Sequence, residues 1–248
     1  MLHTIADDLW GEPSLAYHVQ PVLPAGCSAA LEALLGPIAG RWPAPLHLGS
    51  RHMLHVTIYA LVPVKGEFDK EGYWRRIAAP SLALVEELCA GHPPIELHFS
   101  RLKVTDTAII AVAQETSGLV AAIRERIADA IPPPPGREPL RYDLIHSTLA
   151  RYRSSGPVPN AVVKGVEGLP VSIRAPITAI KLVRETLFPC LLDHPSRRLL
   201  SQAPQDEVVE TPLMRPLRMR AAHGSSPLAP PMRSRPRSGR GTAFPGRA

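Results

Sequence analysis

At 248 residues the chain is long enough for one large globular domain or two small ones, and its 45 % apolar residues suffice for a buried core. No run approaches 18 apolar residues, which excludes a membrane-spanning helix; three scattered cysteines (Cys27, Cys89, Cys190) exclude a disulfide framework and a CxxC zinc site. The formal charge of +6 sits at one end, because residues 211–248 hold eight arginines and no acid, leaving 20 basic against 22 acidic residues in 1–210; the body is therefore not a basic nucleic-acid-binding domain.

The first ten residues, MLHTIADDLW, have two aspartates and no apolar h-region, so a cytoplasmic location is expected. Residues 16–23 (AYHVQPVL) read as a strand and 28–35 as a short helix with Ser28 as N-cap. Residues 54–62 (LHVTIYALV) form a strongly apolar strand. Helical spacing runs over 73–90 until Gly91 and Pro93–Pro94, with Pro80 expected to kink or split it. Residues 95–104 and 108–114 are two strands joined tightly at Asp106. Residues 117–131 form a helix, with Leu119, Ile123, Ile127 and Ile131 at fourfold spacing before PPPP. A strand at 143–152, a short helix at 160–166 and a strand at 177–185 follow.

Beyond residue 201 the sequence is rich in Pro, Arg, Ser, Ala and Gly without apolar periodicity, so 202–248 is expected to be a disordered tail. It is a solvated extension, with weak RNA contact as its functional alternative.

A shift of 91 residues superposes strand, helix and strand of the first half on those of the second, although residue identity is low. The expected fold is α+β and bilobal: duplicated β-α-β units about a pseudo-twofold axis, two antiparallel-rich sheets around a central cleft, helices outside. The lobes are placed at 1–104 and 105–201.

The same shift superposes His55-Val56-Thr57 on His146-Ser147-Thr148. Ten His and ten Thr in the whole chain predict fewer than one such triplet by chance. On a strand, residues two apart share a face, so each His shares its face with its Thr. Two histidines meeting across a cleft suit proton transfer, one accepting while the other donates, because imidazole titrates near pH 6.5. The threonine hydroxyls suit an anionic oxygen between them.

Other readings are weaker. His47, His52 and His55 resemble a metal cluster in number only, since His52 and His55 face opposite ways on a strand. His18 and His98 fall in strands and are assigned structural roles. Asp143 stands three residues before His146, on the opposite face. No GxSxG elbow, P-loop or GxGxxG fingerprint is present.

HVTI at 55–58 and HSTLAR at 146–151 resemble the motifs of the two-histidine (2H) phosphoesterase superfamily, especially its bacterial RNA 2′,5′-ligase-like and cyclic phosphodiesterase branches. The resemblance covers about residues 15–192. It implies metal-independent, cofactor-free chemistry on 2′,3′-cyclic phosphates or related RNA phosphodiesters, with nucleotides or RNA ends as substrates. It implies His55 and His146 as the acid–base pair, Thr57 and Thr148 as phosphate ligands, and Arg151 as a basic phosphate ligand. By strand parity Arg151 faces away from His146 unless the strand twists or bulges. Tyr59 and Tyr152 continue the two histidine faces and are candidates for stacking on a base. RNA 2′,5′-ligation and a catalytically idle RNA-binding module are the alternatives. The symmetric motifs do not tell which histidine is acid and which is base.

Overall fold

The structure, a computed structural model, describes residues 1–91, 93–189 and 197–199. The tail expected at 202–248 lies outside the described residues. In chain order the elements are β1 (Leu2–Thr4), β2 (Glu12–Pro21), α1 (Ala25–Glu32), α2 (Leu35–Arg41), β3 (Leu46–Leu48), β4 (Tyr59–Val62), α3 (Lys70–Gly91) and β5 (Ile95–Val104). They continue with β6 (Ala108–Gln114), α4 (Leu119–Ala130), β7 (Ile145–Tyr152), β8 (Gly156–Val158), α5 (Asn160–Glu167), β9 (Ile173–Ile177), β10 (Ile180–Phe188) and β11 (Arg197–Leu199).

Two antiparallel sheets carry the fold, one in the order β11-β10-β2-β4 and the other β3-β7-β6-β5-β9. This is the expected α+β class. The lobe boundary expected near 104/105 lies at the turn of the β5–β6 hairpin, whose strands pair with each other. The two halves of the chain exchange strands. The first half runs β2-α1-β4-α3 and then sends β5 to pair with β6; the second runs β6-α4-β7-α5 and ends by sending β10 to pair with β2. The triplets β10-β2-β4 and β5-β6-β7 are thus counterparts. Helix α3 packs on β10 and β2, and α5 on β5.

Local chemistry accounts for the departures from the sequence reading. Helix α1 starts at Ala25, not Ser28; Pro24, with φ −56°, is pre-set to begin it earlier. Helix α3 is continuous through Pro80. Tyr73, Ile77, Leu84 and Val85 are buried while Pro80 and Arg76 are exposed, so the carbonyl that the missing N–H leaves lies on the solvent side of the helix. Helix α4 begins at Leu119 because Gly118 at its N-cap is left-handed, φ +78°, while Glu115 accepts the amides of Ser117 and Val120. The strand expected at 54–62 is regular only over β4. Ahead of it, Val56 bridges to Ser147 of one sheet, and Ile58 already donates to Val19 of the other. The segment that carries the first motif therefore crosses between sheets. Among the described residues no helix is long and apolar enough to cross a membrane.

Candidate active site

The crossing of residues 56–58 brings the two motifs together. The antiparallel bridge joins their central residues, Val56 and Ser147, both buried at 1 % and 0 % exposure. That register sets His55 beside Thr148 and Thr57 beside His146. All four side chains lie on the opposite face and line one cavity of about 340 Å³. The two histidines are diagonal neighbours, with Cα atoms about 7–8 Å apart by strand geometry. An anion between them meets one imidazole and one hydroxyl from each motif.

Each imidazole has its own surroundings. The turn Ser50–Met53, closed by Met53 and Leu54 amides donating to Ser50, presents the Met53 carbonyl to His55 Nδ1 at 2.7 Å. A carbonyl only accepts, so Nδ1 carries hydrogen and proton exchange falls to Nε2. His146 on β7 is held below the ordinary imidazole value, first by burial and then by the positive charges of Arg124 and Arg151.

Arg151 also reaches the cavity, and the reason is a bulge. On β6, Ile109 pairs with Ala150 and Ile110 with Thr148, so Leu149 is the extra residue. The bulge reverses parity and returns Arg151 to the face of His146 and Thr148. Its Nε lies 3.3 Å from Asp7 Oδ2, and its guanidinium sits 5.0 Å above the Phe188 ring.

Tyr59 and Tyr152 do not line this cavity. Both are core residues, at 5 % and 1 % exposure. Tyr152 stacks on Trp42 and donates its hydroxyl to Thr105. The same bulge that turns Arg151 inward turns Tyr152 away. The aromatic rings at the cavity are instead Trp10, stacked on His47 at 4.5 Å, Tyr142 and Phe188. Of the remaining histidines, His98 contacts Ser172; Asp143 lines a different surface depression. Among the described residues no group of three or more His, Cys, Asp or Glu is placed to hold a metal ion.

Three features escaped the sequence reading. His18 lies in the cavity wall, its Nε2 3.2 Å from Glu185 Oε2 and its ring centroid 6.4 Å from that of His55. The register explains the pairing, since Val183 opposes His18 and Glu185 opposes Ala16, which puts both on one face. Lys65 adds a cation to the wall; the ammonium of Lys70 donates to the neighbouring Val64 carbonyl.

Arg124 on α4 is the third. Its Nε donates to Ile58 O at 2.9 Å and its Nη2 to Leu144 O at 3.0 Å, so one guanidinium ties the backbone beside both motifs. It lies 4.7 Å over the ring of Tyr142, whose hydroxyl accepts the Ala60 amide and whose burial pushes its pKa up to about 12. A signal was present: Arg124 follows Val120 by four residues on the apolar stripe of α4.

Comparison with curated proteins gives no match. Among solved structures, the chain is similar to the crystal structure of TT0787 of Thermus thermophilus, with a TM-score of 0.50 and 22 % identity over 75 % of this chain and 94 % of that one. That likeness is one of fold. The family model of the 2′-5′ RNA ligase superfamily matches residues 30–187, more than half of the chain and both HxT motifs. The chain belongs to the 2′-5′ RNA ligase superfamily, the two-histidine phosphoesterases, a family of phosphoesterases and RNA ligases.

Proposed function

We propose that the chain is a phosphodiesterase that opens 2′,3′-cyclic phosphates of nucleotides or RNA ends by acid–base catalysis without a metal ion. The observation that carries this reading is the bridge from Val56 to Ser147, which gathers two imidazoles and two hydroxyls on one cavity face. His146, whose imidazolium form burial and two guanidinium groups disfavour, takes a proton from water as its oxygen attacks phosphorus. The bond from phosphorus to one ribose oxygen breaks, and protonated His55 gives that oxygen its proton through Nε2. Thr57, Thr148, Arg151 and Lys65 hold the non-bridging oxygens. Trp10 and Phe188 supply apolar rings for a base.

The test is a screen of 2′,3′-cyclic mononucleotides, cyclic-ended RNA, and linear 2′,5′ and 3′,5′ dinucleotides, run in EDTA. Turnover of cyclic phosphates is expected to survive chelation. Loss in EDTA with recovery on adding zinc or manganese would overturn the metal-free mechanism. Joining of a 5′-hydroxyl RNA to a cyclic end would favour 2′,5′-ligation, and no turnover at all would favour a binding module.

The pH dependence of kcat/KM is expected to be bell-shaped. Positive neighbours and burial both disfavour imidazolium at His146, so the acidic limb falls below the usual imidazole pKa of about 6.5. An acidic limb above that value would reverse the assignment of base and acid.

A further inference from the structure

His55 borders two concavities. One is the cavity described above. The other is a shallower groove of about 260 Å³, lined by Arg51, His52 and Lys181 together with Ser28 and Leu54. The strand β10 runs between them: Glu185 lines the cavity, and Lys181, four residues earlier on the same face, lines the groove. Cavity and groove are therefore successive stations along one strand, separated by about 13 Å of backbone.

Their chemistry differs. The cavity is mostly apolar, with the acid–base pair, and its size admits one nucleotide. The groove brings two permanent cations and two imidazoles together, and among the described residues no carboxylate lines it. Arg51 is held in place there, its Nη2 donating to Ala25 O at 3.1 Å and its amide to Glu32 Oε1 at 2.9 Å. A cationic groove that tracks away from a catalytic centre suits a polyanionic strand.

We propose that this groove is the subsite for the backbone phosphate of the nucleotide next to the scissile one, so that the chain prefers oligonucleotide ends to cyclic mononucleotides. The proposal rests on the phosphodiesterase reading above and adds a substrate length to it. Arg51 and Lys181 contact the flanking phosphate; neither lines the catalytic cavity.

The experiment compares wild type with Arg51→Gln/Lys181→Gln on a 2′,3′-cyclic mononucleotide and on a short RNA ending in the same cyclic phosphate. The variant is expected to lose about 10–100-fold in kcat/KM on the RNA and to stay within about twofold on the mononucleotide. The salt dependence on RNA should become shallower by about 1.4 in the log–log slope, roughly 0.7 for each lost contact. Arg51→Lys/Lys181→Arg keeps both charges and should restore the RNA preference. Equal losses on both substrates, no loss on either, or a wild type indifferent to length would overturn the proposal. In a second arm, anisotropy of a dye-labelled RNA ending in a linear 3′-phosphate measures binding alone. If wild type turns over neither substrate, the phosphodiesterase reading fails, and this arm still decides the groove: weaker binding by the variant supports it and unchanged binding refutes it.

Discussion

His55→Ala and His146→Ala are each expected to lower kcat by about 10²–10⁴, the range for a positioned proton carrier. The double variant should lose far less than the product of the two, because acid and base act as one unit. Both side chains face a cavity and are only half-buried, so the folded state should survive; a far-ultraviolet spectrum and a thermal melt check this. Thr57→Ala and Thr148→Ala should be milder, each removing one hydrogen bond to a charged phosphate, about 1.5–3 kcal/mol. A folded histidine variant with full kcat would end the acid–base assignment.

Arg124→Met is expected to cost about 3 kcal/mol of stability, read as a lower urea midpoint at unchanged slope. The side chain is part-buried and donates to three backbone carbonyls, those of Thr57, Ile58 and Leu144, that no thioether can satisfy. Two consequences should accompany the loss. The acidic limb of kcat/KM should move to higher pH, because a positive charge that disfavours imidazolium at His146 has gone. kcat should fall, since the guanidinium ties Ile58 to Leu144 and so fixes the spacing of the motifs. Loss of stability with an unmoved acidic limb would show that Arg124 is structural only.

The elements with strong periodicity were legible in the sequence. Strands at 95–104 and 108–114 appear with the bounds that the apolar pattern implied. The histidine pair was legible because one offset carried both pattern and motif, and the bridge at Val56 gives that offset a physical meaning. What could not be read was whatever depends on a break in periodicity. Strand parity points Arg151 away from His146, and only the extra residue Leu149 reverses it. The same parity made Tyr152 a candidate for the cavity, where the bulge makes it core. His18 looked like an ordinary strand residue because its meaning lies in β10, which pairs with β2 from the far end of the chain. Strands of three residues, such as β1, β3 and β8, carry no period at all.

The exchange of strands between the halves sets an order on how the protein comes into being. The ribosome releases β2 and β4 early, but the partner of β2's other edge is β10, near the end of the described chain. Until residues 180–188 emerge, that edge presents unpaired amides and carbonyls, the template for wrong pairing that folded proteins take care to cover. The first half therefore has no finished sheet to fold into, and the wall that carries His18 closes only when nearly the whole body has been made. Pairings this distant in sequence make for slow folding. The nascent chain thus carries one wall of the candidate site open until β10 is made, which is the cost of building a single cavity from two interlaced halves.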